Sequence, residues 1–185
     1  MKHPCNKCGL EKFAYKQVGG NCILHPPVVV VVGEGPGKSE DVLGTAFVGP
    51  AGKLLRHALQ QAGVDPARVW FTNLVACRAC DSLGETNRIP TEEECEACWP
   101  RLKHELRQVC KDGVTDVILA GKTAARYNGA IQSVCPSGTR VHEITHPAAV
   151  LRQGGANEDG AAFQNYIKRL EEEVVQCFGI STSTA

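Results

Sequence analysis

Apolar residues fall into four short blocks, each bounded by turn-forming residues. The first block, residues 28–32, is five consecutive valines without polar alternation, which is typical of a strand buried on both faces of a parallel sheet. Three further blocks carry the same β-branched and aromatic character. Strands are therefore predicted over residues 28–32, 69–75, 114–120 and 139–145.

Helical spacing of apolar residues separates these strands. The segment "AGKLLRHALQQAG" buries one face and ends at Gly63, and Thr91 with Glu94 forms a capping-box signature. Pro100 is expected to kink or restart the helix that this box opens. Helices are predicted over residues 51–63, from 91 towards 110, over 122–128 and over 159–177.

The alternation of strands and helices predicts a three-layer α/β/α sandwich around a mostly parallel four-stranded sheet. Residues 1–178 are expected to form one domain, followed by a disordered tail at 179–185. In such sheets, ligands bind outside the carboxyl ends of the strands. Glu34, Asn73 and His146 each lie at or just beyond a predicted strand end, so they are expected to meet in one crevice.

Composition narrows the class of protein. The 185 residues carry 20 basic and 20 acidic side chains, which argues against a strongly basic, non-specific nucleic-acid binder but allows a local basic groove. We identify neither a signal peptide nor an apolar stretch of membrane length. A soluble, intracellular protein is therefore expected.

The glycine-rich turn after the first strand resembles a phosphate-binding loop only superficially. Residues 33–39, "GEGPGKS", are one residue too short for that motif. Pro36 removes a backbone N–H, and Glu34 places a carboxylate where phosphate would lie. The later "AGKTA", residues 120–124, also fails, because Asp116 stands where the first glycine is required.

Cysteines form a second group of candidate functional residues. In a reducing compartment they are read first as metal ligands or small buried hydrophobes. Three C-x-x-C pairs occur: Cys5/Cys8, Cys77/Cys80 and Cys95/Cys98. The last two pairs have spacing suited to a tetrahedral zinc site. The other four are expected to be buried small side chains: Cys22, Cys110, Cys135 and Cys177.

Four motifs together resemble the family 4 uracil-DNA glycosylases, the iron–sulfur branch of that superfamily. They are "GEGPGKSEDVLGTAFVGPAGKLL", "TNLVACR", "NRIPTEEECEACWPRL" and "HPAAVLR", in the family's order and nearly its spacing. Each motif alone is weak evidence. The resemblance implies an enzyme that flips uracil out of DNA and hydrolyses its N-glycosidic bond, leaving an abasic site.

The same resemblance assigns roles at the base and the sugar. Glu34 corresponds to the family's water-associated acidic residue, and His146 to the donor that stabilises the leaving uracil anion. Phe47 corresponds to the aromatic side chain that stacks on uracil. Asn73 corresponds to the amide that reads it, since an amide can both donate and accept. Glu40 corresponds to the residue that crowds the C5 position and excludes thymine.

Further assignments concern the backbone and the DNA. Gly33 and Gly35 flank Glu34 and let the main chain approach the substrate closely. Arg152 is expected to hold a DNA phosphate. The substrate is expected to be single- or double-stranded DNA that contains uracil, acted on by a monomer in the cytoplasm near the nucleoid.

The resemblance also implies a [4Fe–4S] cluster held by Cys5, Cys8, Cys77 and Cys98. The stretch "ACDSLGET" makes the loop before Asn87 longer than expected of the family and adds Cys80. Cys80 or Cys95 could therefore replace a ligand, and a zinc site stays open as the alternative.

Two other functions remain open. The long loop would suit a superfamily member that acts on another or a modified pyrimidine. A non-catalytic module that binds uracil or DNA is the second possibility. It is disfavoured because Glu34, Asn73 and His146 are all present, and a binding module has no need of the acid.

Overall fold

A computed structural model describes residues 5–81, 83–155 and 160–172 and contains a four-stranded, wholly parallel sheet. The strand order is β2-β1-β3-β4. The strands are β1 (Val29–Gly33), β2 (Val69–Asn73), β3 (Asp116–Ala120) and β4 (Arg140–Ile144). All four predicted strands are confirmed, each within two residues of its predicted bounds.

Helices cover both faces of this sheet. They are α1 (Lys38–Leu43), α2 (Pro50–Gln61), α3 (Glu92–Val109), α4 (Lys122–Ala125), α5 (Asn128–Val134), α6 (Pro147–Val150) and α7 (Ala161–Leu170). Short 3-10 turns lie at Leu10–Lys12, Pro66–Arg68 and Cys110–Asp112, and a π-type turn lies at Leu151–Gly155. None of the described helices is both long and apolar enough to cross a membrane.

The valine block of β1 is buried on both sides of the sheet. Val29 and Val31 pack into the layer that contains α2 and α7, whereas Val30 and Val32 pack into the layer that contains α3 and α5. All four valines are fully buried, which explains why the block has no polar alternation. The predicted three-layer α/β/α sandwich is confirmed.

The predicted interruption at Pro100 is not a restart, because α3 runs through this residue as one helix. Pro100 is exposed, as is Glu96 one turn earlier, so water can reach the carbonyl group that loses its hydrogen bond. The predicted capping box is present. The Thr91 N–H donates to Glu94 Oε2 at 2.8 Å, and the Glu94 N–H donates to Thr91 Oγ1 at 3.3 Å.

The last predicted helix is described only in part. Helix α7 begins at Ala161, two residues after the predicted start, and turns inward the predicted side chains of Phe163, Tyr166, Ile167 and Leu170. Residues 173–185 lie outside the described part of the chain, so the predicted helix end, Cys177 and the predicted tail lie there too.

The N-terminal segment runs antiparallel along the outer edge of β2. Asn21 and Phe71 exchange backbone hydrogen bonds, and the Val18 N–H donates to the Ala76 carbonyl at 2.7 Å. The buried Asp41 carboxylate accepts the N–H groups of Tyr15 and Lys16 and so fixes the part of the segment just before Val18. Because the segment runs antiparallel, its earlier residues lie beyond the carboxyl end of β2.

Three of the cysteines expected to be small buried side chains lie within the described residues. Cys110 is buried, and its Sγ lies 3.6 Å from Cys135 Sγ. Cys22 and Cys135 are only half-buried, so the expectation is wrong for these two. The Cys22 thiol donates to the Leu24 and Ala67 carbonyls, and these acceptors allow it to lie near the surface.

A charged cluster lies at the amino end of the sheet, opposite the expected ligand crevice. Arg140 donates to both oxygens of the fully buried Asp116 carboxylate, His142 Nε2 lies 2.7 Å from Oδ1, and the Thr115 hydroxyl donates to Oδ2. Burial by itself raises the pKa of Asp116, but the hydrogen bonds from Arg140, Thr115 and His142 outweigh it and hold the pKa below its usual range.

We expect Asp116→Asn to lower the free energy of unfolding by about 1–3 kcal/mol, because an amide cannot accept from all of these donors. Since the folded-state pKa of Asp116 is depressed, its contribution is present above its usual pKa and is lost as the pH falls through the folded value. Urea unfolding from pH 7 to pH 3 measures both effects. The exposed Glu96→Gln is the matched control, and equal stability of the two variants would contradict the assignment.

Candidate functional site

A cavity of about 680 Å³ opens at the carboxyl ends of the strands, as the topology predicts. This volume lies in the range of small-molecule binding sites. Its lining includes most residues singled out in the sequence. Among them are Glu34, Glu40, Phe47, Asn73, His146 and Arg152.

Gly33, the last residue of β1, is the point at which two predicted base-contacting side chains meet. A Cβ atom built on Gly33 would lie 2.4 Å from Asn73 Oδ1 and 2.7 Å from Phe47 Cζ. Asn73 is its neighbour in the parallel register, and both Asn73 and Phe47 are almost fully buried. A residue with a side chain would displace one of them, so glycine is required here.

Phe47 adopts a left-handed backbone conformation with φ of 55°. For a bulky residue this costs roughly 1–3 kcal/mol, so the surroundings must hold it in place. Arg56 Nε donates to the Phe47 carbonyl at 3.0 Å, and the Arg56 guanidinium lies over the Phe71 ring, which packs against the Phe47 ring. The backbone of Phe47 also contacts Gly52 so closely that no Cβ fits there.

Glu40 ties the loop that carries Phe47 to the start of α1. Its carboxylate accepts N–H groups from Gly37 at 3.1 Å, Val48 at 3.0 Å and Gly49 at 2.6 Å. The Gly37 N–H, which a phosphate loop would offer to its ligand, is therefore occupied. Glu40 also lines the cavity. Its role in crowding the uracil C5 position stays a prediction.

Glu34 projects into the cavity after β1 and is held by Thr123 at the start of α4. Thr123 Oγ1 donates to Glu34 Oε2 at 2.5 Å, and the Glu34 carbonyl accepts the Val75 N–H. Thr123 belongs to "AGKTA", the stretch that fails as a phosphate loop. The sequence analysis missed it because its role arises from contact with Glu34, 89 residues away.

His146 caps the start of α6, and this contact defines its tautomer. Its Nδ1 accepts the Ala148 N–H at 3.2 Å, so the neutral ring carries its proton on Nε2. Burial lowers the pKa of His146, Glu34 partly offsets this, and Arg152 lowers it further. At neutral pH the ring is therefore an uncharged N–H donor that lines the cavity.

Gly121 lets β3 approach this ring. Its φ is +96°, and a Cβ atom there would lie 2.8 Å from His146 Cβ.

Arg152 lies in the π-type turn after α6, exposed at the rim of the same cavity. Gly35 also leaves no room for a side chain, because a Cβ atom would lie 2.8 Å from Val75 Cγ2.

The four cysteines expected to hold a cluster lie near one another. Burial raises the pKa of the Cys77 thiol to about 12. Three neighbouring thiols add to this rise, those of Cys98, Cys8 and Cys5. The thiols influence one another's ionisation only because they share a small region between the N-terminal segment, the end of β2 and α3.

The two alternative cysteines lie in different surroundings. Cys95 is buried and shares a hydrogen bond with Tyr127. Cys80 is buried and forms an isolated β-bridge with Asn87. Within the described residues, no group of three or more His, Cys, Asp or Glu side chains is close enough to hold a single metal ion.

Arg78 is a buried structural residue that the sequence analysis missed. Only 2% of it is exposed, and its guanidinium donates to Asn87 Oδ1 at 2.6 Å and to the carbonyls of Gly84 and Glu85. It therefore holds the long loop between Cys77 and Asn87 in a defined fold. Its position directly after Cys77 in "TNLVACR" was the available signal.

Comparison with known proteins agrees with this geometry. The profile of the uracil DNA glycosylase superfamily matches residues 23–171. The chain belongs to this superfamily and, within it, to the type-4 family, which confirms the resemblance inferred from the motifs.

Three relatives illustrate the similarity. A type-4 uracil-DNA glycosylase of Pyrobaculum aerophilum is 36% identical over 165 residues, 80% of each chain. That of Archaeoglobus fulgidus is 32% identical over 182 residues, 91% of this chain and 87% of the relative. That of Thermotoga maritima is 33% identical over 159 residues, 80% of this chain and 78% of the relative.

We expect His146 to titrate below the usual histidine pKa of about 6.5, as the Nε2–H tautomer. As the pH falls through this range the unfolded chain takes up a proton that the folded site resists, so this residue lowers stability on acidification. Nitrogen-15 NMR of the ring measures pKa and tautomer, with His146→Asn to assign the signal. A proton on Nδ1 in the neutral ring would overturn the tautomer assignment.

Proposed function

We propose that this protein removes uracil from DNA by hydrolysing its N-glycosidic bond, leaving an abasic site. The observation that carries the proposal is the meeting of the Asn73 amide and the Phe47 ring at Gly33, in the cavity that Glu34 and His146 also line. A base reader, a stacking surface, an acid and an N–H donor are the groups that such a reaction requires.

Base recognition falls to Asn73 and Phe47. The amide can donate to uracil O4 and accept from N3–H, a pattern that cytosine cannot match. The Phe47 ring, held by Arg56 and Gly52, stacks on the flipped base. Glu40 keeps the Phe47 loop closed and stands at the cavity wall, where it crowds a C5 substituent.

Bond cleavage falls to Glu34 and His146. Thr123 holds one oxygen of the Glu34 carboxylate, which orients the group to bind water and to balance the positive charge that develops on the sugar. Water attacks the sugar carbon as the bond to the base breaks, and its proton passes to the carboxylate. His146 donates its Nε2–H to the departing uracil anion, whose negative charge this hydrogen bond stabilises.

The DNA strand is held at the rim of the cavity. Lys38, Lys122 and Arg152 line it and offer positive charge to backbone phosphates, although the whole chain has no net charge. The substrate in this proposal is uracil-containing DNA, single- or double-stranded. The monomeric state and the location near the nucleoid stay predictions.

We expect cleavage only at uracil when matched oligonucleotides carry uracil, thymine, cytosine or hypoxanthine, in single- and double-stranded form. Glu34→Gln should lower kcat by roughly 10²- to 10⁴-fold with little change in DNA affinity, because it removes the proton acceptor but keeps the shape. Strand breaks after alkali measure excision. The exposed Glu143→Gln on β4 is the control.

The outcomes separate the competing functions. Cleavage at uracil by the wild type and by Glu34→Gln alike would remove Glu34 from the mechanism. Cleavage at another base instead would identify a modified-pyrimidine enzyme. DNA binding without cleavage at any base would identify a binding module.

The same proposal includes a [4Fe–4S] cluster held by Cys5, Cys8, Cys77 and Cys98. These residues fit the group, because four cysteine side chains from the N-terminal segment, the end of β2 and α3 lie within electrostatic range of one another, and four thiolates are the ligands that such a cluster requires. Since hydrolysis transfers no electrons, the bound cluster supplies structure rather than redox chemistry. Its cysteines tie the N-terminal segment and α3 to the end of β2.

A single zinc ion is less compatible with the described residues. Zn–S bonds of about 2.3 Å place tetrahedral thiolates within about 4 Å of one another, and none of the described side chains form such a group. A [4Fe–4S] cluster would instead be held by the thiolates of Cys5, Cys8, Cys77 and Cys98. Of the two further cysteines that the zinc site needs, Cys95 shares a side-chain hydrogen bond with Tyr127.

We expect protein purified without oxygen to be brown and to contain roughly four iron atoms per chain. Cys98→Ser should lose most of this iron, whereas Cys80→Ser and Cys95→Ser should keep it. Metal analysis for iron and zinc with acid-labile sulfide is the measurement. Stoichiometric zinc without iron, lost in Cys80→Ser, would favour the zinc site instead.

A further inference from the structure

Arg101 on α3 connects the cysteine group to the uracil pocket. Its Nη2 donates to the carbonyl oxygens of Asn73 and Leu74 and lies 3.8 Å from Cys98 Sγ. One guanidinium nitrogen therefore contacts both a proposed cluster ligand and the backbone of the proposed uracil reader.

The guanidinium is fixed from its other side as well. Arg101 Nη1 donates to Glu105 Oε2 at 2.6 Å and to Thr72 Oγ1 at 3.1 Å. Glu105 in turn accepts from Trp70 Nε1 and from the Thr72 hydroxyl, both at 3.0 Å. The Arg101–Glu105 pair thereby fastens α3 to the carboxyl half of β2.

The N-terminal segment reaches the same pair. A Cβ atom on Gly20 would lie 1.7 Å from Glu105 Oε1, so this segment packs against the carboxylate with no room for a side chain. Cys5 and Cys8 belong to this segment, and Cys98 lies one turn of α3 before Arg101. The N-terminal segment, the end of β2 and α3 carry the four cysteines. All three therefore meet at the Arg101 guanidinium and the Glu105 carboxylate.

We propose that Arg101 is a positioning residue that couples occupancy of the cysteine site to the placement of the Asn73 amide. The inference rests on the proposed function of these two groups. A Cys98 side chain held as a ligand keeps its Sγ beside Arg101 Nη2, and this contact holds the guanidinium against the Asn73 carbonyl. When the cysteine site is empty, nothing fixes the Cys98 side chain in that position.

The geometry of the pocket makes the position of the Asn73 amide sensitive to the Arg101 contact. Asn73 Oδ1 lies so close to Gly33 that a shift of the β2 end displaces the amide against β1 or Phe47. A misplacement of about 1 Å at a reacting group can cost roughly 100-fold in rate. Lysine cannot replace Arg101, because a single ammonium lacks the planar fork that reaches the Thr72 and Glu105 side chains and the two carbonyls together.

The test compares Arg101→Gln and Arg101→Lys with Arg107→Gln, an exposed arginine on the same helix. Uracil excision, iron release to a chelator and the visible spectrum of the iron-loaded protein are measured for each. Both Arg101 variants should lose roughly 100-fold in kcat/KM on uracil DNA. They should also release iron faster and show an altered spectrum. Arg107→Gln should match the wild type. If Arg101→Gln does not fold, the comparison is made with Arg101→Lys, which keeps the positive charge.

A double variant tests the coupling itself. Cys98→Ser alone should reproduce most of the excision defect, and Cys98→Ser with Arg101→Gln should add little, because both act through one contact. Multiplied defects would overturn the coupling, as would Arg101 variants that behave like Arg107→Gln. A wild type that neither binds iron nor excises uracil would refute the proposed function. If it binds iron without excising, unchanged iron release in the Arg101 variants would overturn the inference.

Discussion

The absence of a side chain at Gly33 is the constraint on which the site depends. Parallel pairing places Asn73 beside this residue, and the turn after α1 brings the Phe47 ring to the same point. The space that a Cβ atom would occupy is filled by these two groups. Around them, Glu40 and Arg56 hold the Phe47 loop, and Arg101 holds the Asn73 backbone. Each is a buried or partly buried polar contact whose loss would leave the backbone of the pocket free to move.

The two ends of the sheet have separate tasks. At the amino end, Asp116 collects Arg140, His142 and Thr115 in a cluster that stabilises the fold. At the carboxyl end, polar side chains face an open cavity and some backbone is strained, as at Phe47. Parallel sheets favour this division, because every strand contributes its carboxyl end to one edge. The strained backbone at the carboxyl end is compatible with folding because the Asp116 cluster at the amino end and the buried valine core stabilise the fold.

Local patterns were enough to predict the parts of the structure that local physics determines. The valine block, the Thr91–Glu94 capping box and the strand-end positions of Glu34, Asn73 and His146 all have short-range signals. The continuity of α3 through Pro100 could not be predicted, because it depends on which side of the helix faces water.

Contacts between distant segments were also beyond sequence reasoning. Thr123 meets Glu34 across 89 residues, and Arg101 meets Asn73 across 28. Helix α5 was missed because "GAIQSV" has little periodicity on its own. The roles at the base came from family resemblance, since an asparagine or histidine at a strand end has many uses.

The N-terminal segment along β2 has a consequence for solubility. Strand β2 is an outer strand of the sheet, and its unpaired backbone groups would otherwise offer a template for pairing with another chain. Residues 18–24 cover that edge with backbone hydrogen bonds, and Cys5 and Cys8 at the start of the segment lie near Cys77 beyond the strand end. A chain in which this segment came away from β2 would expose an edge prone to aggregation.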